Sequence, residues 1–109
     1  MKVKLPKEVT IGAFTIELVT IPHEVSYEVG EAQGVFLGKP PYKIFLDEGI
    51  IERGGRDAVN VVIHEFLHVG FYQYLLKDKE EETVVNSYGN FITELLSRSE
   101  LKKWIIDNI

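Results

Sequence analysis

With 109 residues, 45% of them hydrophobic, the chain has the length for one domain with a real core, and a single domain over residues 1–109 is the expectation. A formal net charge of -5 argues against nucleic acid or an anionic membrane as a main partner, since either recruits a basic patch and the lysines and arginines here are scattered. Cysteine is absent, which removes disulfides, thiolate ligands and cysteine nucleophiles, so any metal must be held by His, Asp or Glu.

The first residues, Met1 to Pro6, begin with charge but lead into Glu8 and Gly12 rather than an unbroken apolar stretch, so neither a signal peptide nor a membrane span is expected. A cytoplasmic location follows as the expectation. Val9 to Ile21 is rich in Val, Ile, Thr and Phe, with Phe14, Ile16 and Leu18 alternating against Thr15 and Glu17. It reads as one strand, or as two broken near Gly12. Pro22 and His23 end it, and Glu24 to Gly30 fits either a helical turn or extended chain.

Gly34 to Leu37 and Tyr42 to Leu46 flank Gly38-Lys39-Pro40-Pro41, whose glycine and prolines forbid a continuing ladder and favour a turn. A β-hairpin is the simplest reading. Asp47 to Arg56, with Gly49, Gly54 and Gly55, then reads as a connecting loop with room for a helical turn.

From Arg56 or Asp57 to about Leu76 the apolar residues cover nearly every direction around a helix axis, which predicts a helix buried on most sides. Lys77-Asp78-Lys79 places cations near its negative end. Glu80-Glu81-Glu82 opens a second helix, with Val85, Tyr88, Ile92 and Leu95 as its apolar stripe and an antiparallel packing on the first. Leu101 to Ile109 is a last short amphipathic segment, with Trp104, Ile105 and Ile109 available for docking. The fold class expected is α+β: a small antiparallel sheet packed on a central helix and a second, antiparallel, Glu-bearing helix.

Within the central helix stands His64-Glu65-Phe66-Leu67-His68, an HExxH motif. Helical spacing sets its two imidazoles about 40° apart around the axis, so both reach one ion while Glu65 stands beside them. Catalytic zinc needs about three protein ligands and an open position for water, and a nearby carboxylate to take that water's proton. His64 and His68 are the candidate ligands and Glu65 the candidate general base. Two histidines and a glutamate among apolar helix neighbours would be costly without partners, and a metal rationalises them.

The third ligand must come from elsewhere. No His follows His68 and no Cys exists, which leaves a downstream carboxylate or His23. Glu81 and Glu82 stand four and three residues before Val85, so both project near the expected stripe, while Glu80 points further away. For two of the three glutamates a solvated helix start is explanation enough.

Glu82-Thr83-Val84-Val85-Asn86-Ser87-Tyr88-Gly89 resembles the ExxAN-x-F-A segment of the ImmA/IrrE-like metallopeptidases, in which the glutamate supplies the third zinc ligand behind an HExxH helix. The resemblance selects Glu82. It spans approximately Gly34 to Leu96, and the layout is also similar to small HExxH proteins encoded in phages and prophages. Val85 and Gly89 replace the family's usual alanines, the segment between the motifs is short, and no DNA-binding domain is expected within these 109 residues, so substrate specificity does not transfer. What the resemblance implies is a minimal zincin-like fold, Zn²⁺ as cofactor, and a peptide or protein substrate paired with an exposed strand of the 34–46 hairpin.

Other residues are weighed against ordinary roles. Tyr72, Tyr74 and Tyr88 each carry a phenol that could meet a tetrahedral intermediate, though packing accounts for each as simply. Asn60, one turn before His64, and Asn86, one turn after Glu82, are placed to hydrogen-bond a ligand's outer atom. The expected function is a gluzincin-type zinc metallopeptidase. A catalytically inactive, zinc-stabilised binding module of the same fold is the alternative, and Glu65 speaks against it because a purely structural site has no use for a base.

Overall fold

The computed structural model describes residues 3–22, 34–98 and 100–109, apart from the side chain of Arg98. His23 and the ambiguous stretch 24–30 lie outside the described residues. Gly12 decides how the N-terminal apolar run is used. Its φ of 59° suits glycine in a tight reversal, and the chain turns at Gly12-Ala13 to pair β1 (Glu8–Ile11) antiparallel with β2 (Phe14–Ile21). The alternation read from the sequence survives: Ile16 and Leu18 are buried while Thr15 and Glu17 are exposed.

The second apolar pair forms the expected hairpin, β3 (Gly34–Leu37) antiparallel to β4 (Lys43–Asp47), around the Gly38-Lys39-Pro40-Pro41 turn. The sheet as a whole is not antiparallel. Its order is β1-β2-β4-β3, with β2 and β4 parallel, in register from Glu17 opposite Lys43 to Ile21 opposite Asp47. The two hairpins are thus joined by a parallel seam, and β3 is left at an edge.

Asp47 ends β4 and caps α1 (Glu48–Arg53), its carboxylate accepting from the backbone N–H of Gly49 at 2.8 Å and of Ile50 at 3.4 Å. The helical turn for which this connecting stretch left room is thus a six-residue helix. Gly54 and Gly55, both at positive φ, link it to α2 (Gly55–Gln73), which stops three residues short of the expected Leu76. Leu75, at φ 53°, and Asp78, at φ 60°, carry the chain around to α3 (Glu81–Arg98), and α4 (Leu101–Asn108) follows.

Strand alternation places Val9, Ile11, Ile16, Leu18, Ile44 and Leu46 on one face of the sheet, all buried. Against them pack Ala58, Val62, Phe66 and Val69 of α2, Phe91 and Leu95 of α3, and Leu101 and Trp104 of α4. Ile109, just past the end of α4, does not join them and stays exposed.

The face of α3 departs from the expected stripe. Phe91 is 1% exposed and Leu95 5%, whereas Val85 is 56% and Ile92 40% exposed. The inward residues are Val84, Tyr88, Phe91 and Leu95, which share a 3.6-residue period just as well as the expected set. Gly70 selects between them. A Cβ there would stand 3.1 Å from two ring atoms of Phe91 and 3.2 Å from the Tyr88 ring, so the missing side chain is what lets these rings seat against α2. α3 meets α2 over this short contact, not along its length as an antiparallel pair. At their far ends Gln73 and Glu94 both bond the β1–β2 turn, to the Ile11 carbonyl and from the Gly12 N–H. Among the described residues no helix is long and apolar enough to cross a membrane.

Candidate active site

α2 lies beside edge strand β3, and its burial is one-sided at this point. Val61, Val62, Glu65, Phe66 and Val69 face inward, while Asn60, His64, His68 and Tyr72 recur every fourth residue along an exposed stripe. Between that stripe and β3 opens a cleft of about 650 Å³, within the range of small-ligand and peptide sites. Its walls include Gly34, Val35, Phe36 and Gly38 from the β3 side and Asn60, His64, Glu65, His68 and Tyr72 from α2.

The HExxH residues do what the spacing predicts. The imidazoles of His64 and His68 stand with ring centroids 5.0 Å apart at an interplanar angle of 75°, both on the exposed face. Glu65 is turned to the floor of the cleft and is 5% exposed. Burial pushes its carboxyl above the ordinary range, opposed by the neighbouring His68 and His64 and by a hydrogen bond donated from the Phe36 backbone N–H. A carboxyl so placed holds a proton more readily than a solvated one.

Gly34, Phe36 and Gly38 alternate on the sheet face that looks toward the helices, since Phe36 pairs with Ile44 of the buried row. At Gly34 a Cβ would fall 2.9 Å from Cγ and 3.2 Å from Oε2 of Glu65, and 3.2 Å from Cγ1 of Val61. Glycine is what allows the strand to approach the carboxylate. Neither Gly34 nor Phe36 stood out in the sequence; the only signal available was a glycine opening a strand, which marks close approach of another group.

Two imidazoles at this separation on one helix face fit a shared divalent ion of the zinc type, which takes neutral ring nitrogens readily. Among the described residues, however, no three His, Asp or Glu side chains stand together where they could hold one ion. His64, Glu65 and His68 are brought to one cleft; Glu82 is not gathered with the two histidines and does not line that cleft. The face reversal on α3 bears on this directly. At about 100° per residue, Glu82 lies about 150° from the centre of the inward face formed by Val84, Tyr88, Phe91 and Leu95, and Glu81 only about 50°. The ranking of these glutamates by their distance from Val85 fails because Val85 points to solvent. Both carboxylates are exposed.

Of the three candidate phenols, only Tyr72 reaches the cleft. Tyr74 packs against the core, and the Tyr88 hydroxyl donates to the Leu67 carbonyl at 3.1 Å, with burial pushing the Tyr88 phenol up. Asn60 lines the cleft and Asn86 sits exposed on α3 away from it. His23 falls outside the described residues. Comparison with family models, curated proteins and solved structures finds no match to this chain.

Proposed function

We propose that the protein is a zinc-dependent metallopeptidase. The observation that carries the reading is the meeting, in one cleft, of the His64/His68 pair, a buried Glu65 and an edge strand that approaches that glutamate closely at Gly34. The HExxH motif and the resemblance to ImmA/IrrE-like metallopeptidases support the same assignment.

His64 and His68 would hold the ion, with the third carboxylate drawn from the start of α3. The family pattern favours Glu82 for that place and the inward face of α3 favours Glu81. Bound zinc supplies Lewis acidity, polarising a carbonyl and lowering the pKa of water to about 7. Glu65 takes the proton of the attacking water and returns it to the departing amine, which its raised proton affinity suits. An extended peptide would add along the edge of β3, which carries no further strand among the described residues. Gly34, lacking a side chain, leaves room for the base against the strand.

The absence of a gathered third ligand among the described residues favours one second reading, a binding module of the same fold in which the cleft receives a peptide without cutting it. Three measurements separate these. Elemental analysis of untagged protein is expected to give about one zinc per chain, and His64→Ala or His68→Ala is expected to abolish it. Of Glu81→Gln and Glu82→Gln, one is expected to lower zinc affinity by at least about tenfold and the other to leave it unchanged. Cleavage of a peptide library by the wild type is expected to fall by about 10²–10⁴-fold in Glu65→Gln, the span assigned to a lost general base. Zinc binding without cleavage would leave the binding module, and no zinc after supplementation would remove the metallopeptidase reading.

A further inference from the structure

The cleft continues past His68 to a wall of aromatic rings that the proposed chemistry does not use. Tyr72, one helical turn beyond His68, is 39% exposed and presents its ring to the cleft. The Phe36 ring stands 6.1 Å from it at 69°, Tyr42 at 5.9 Å and Phe14 at 6.3 Å, and Phe14 and Tyr42 lock edge to face at 4.8 Å. The neighbouring Tyr72 hydroxyl first, with burial second, pushes the Tyr42 phenol up.

Three rings therefore hold the fourth. Tyr72 is held by its ring neighbours and keeps part of its surface open to the cleft. A surface fixed before the ligand arrives loses little side-chain freedom on binding. Gly38 keeps that side open: a Cβ there would lie 3.7 Å and 3.8 Å from two carbons of the Tyr72 ring, and no side chain occupies the place.

The strand gives the wall a direction. β3 passes Val61 and Glu65 at Gly34 and reaches Tyr72 at Gly38, so it runs in the same sense as α2. A peptide added antiparallel to this edge, the somewhat more stable pairing, has its N-terminal residues at Gly38 and its C-terminal residues at Gly34. From Phe36, beside Glu65, to Gly38, the first residue past the end of β3, is two residues, about 7 Å of extended chain.

We propose that Tyr72 and Phe36, backed by Phe14 and Tyr42, form a subsite for an aromatic or large aliphatic side chain of the substrate, within two residues on the N-terminal side of the bond that is cut. This rests on the metallopeptidase reading for the position of that bond. The existence of an apolar peptide subsite stands apart from it.

Two readouts keep the two claims separate. In library cleavage by the wild type, Phe, Tyr, Leu or Met is expected to be enriched about tenfold over Ala at one of the two positions before the cut. In fluorescence polarisation with the Glu65→Gln protein, an acetylated alanine hexapeptide carrying one Phe is expected to bind about tenfold more tightly than the all-alanine peptide. Tyr72→Ala is expected to remove both preferences and Tyr72→Phe to keep them, which distinguishes a ring wall from hydroxyl chemistry. Gly38→Val, at an exposed position, covers the ring without disturbing the core and is expected to remove them too. Cleavage without aromatic preference, or with preference on the C-terminal side, overturns the subsite while the peptidase stands. Aromatic binding that depends on Tyr72 without any cleavage overturns the peptidase while the subsite stands.

Discussion

α2 and α3 are of similar length, yet one could be oriented from its sequence and the other could not. α2 is apolar around most of its circumference, so its exposed stripe is defined by the few polar positions that remain, Asn60, His64 and His68 among them. α3 is amphipathic with two apolar stripes one residue apart, Val85/Ile92 and Val84/Phe91, sharing Tyr88 and Leu95. Periodicity alone ranks them equally, and the decision falls to the socket at Gly70 on another helix. A ligand on the first helix is therefore legible in the chain, while a ligand on the second depends on a rotation that only packing sets.

The largest test of this contrast is on α3 itself. Phe91→Ala is expected to destabilise by about 3–5 kcal/mol, as for a buried aromatic, and Ile92→Ala by about 1 kcal/mol or less, both read by urea denaturation. Equal losses would mean that the helix is not committed to one face. Next comes the socket: Gly70→Ala puts a methyl at 3.1 Å from the Phe91 ring and is expected to cost about 1–3 kcal/mol despite alanine's better helix propensity. A gain in stability would show that the two helices have slack between them.

On the α2 side the expected effects are smaller in stability and visible in chemistry. Gly34→Ala presses on Cγ of Glu65 and is expected to lower peptide cleavage about tenfold, with zinc content unchanged, if displacement by a fraction of an ångström matters as it does for other catalytic groups. Last is a pH effect in metal-free protein. Because burial raises the Glu65 carboxyl, the folded state holds that proton more tightly than the unfolded chain. The stability this contributes is fully present below the ordinary carboxylate pKa and is lost as pH rises through the folded value. Glu65→Gln is therefore expected to melt higher than the wild type at pH 7, the difference shrinking as the solution is acidified. A melting point below that of the wild type at pH 7 would mean that the carboxylate is stabilised in its cleft.

The local pieces of the fold were open to sequence reading because their causes are local. Gly12 breaks the first apolar run, two prolines break the second, and Asp47 carries the side chain that starts α1, where the sequence left room for a helical turn. The parallel seam between β2 and β4 was not readable, since nothing near Glu17 names Lys43 as its neighbour; even their ion pair, at 3.8 Å on the surface, is too weak to select a register. The same division runs through the candidate site. His64, Glu65 and His68 follow from spacing on one helix, whereas Gly34 and Phe36 enter because a strand from the other hairpin arrives beside them.

That seam also orders the events of folding. The β1–β2 and β3–β4 hairpins close short loops, but joining Glu17 to Lys43 and Ile21 to Asp47 ties together segments 26 residues apart. Long closures of this kind are entropically costly and come late on the route to the native state. Bringing Gly34 to Glu65 and Gly38 to Tyr72 joins segments 31 and 34 residues apart, a closure of the same kind. The cleft is therefore expected to complete late in assembly: the histidines can be helical early, but they face a strand only once β3 lies beside α2.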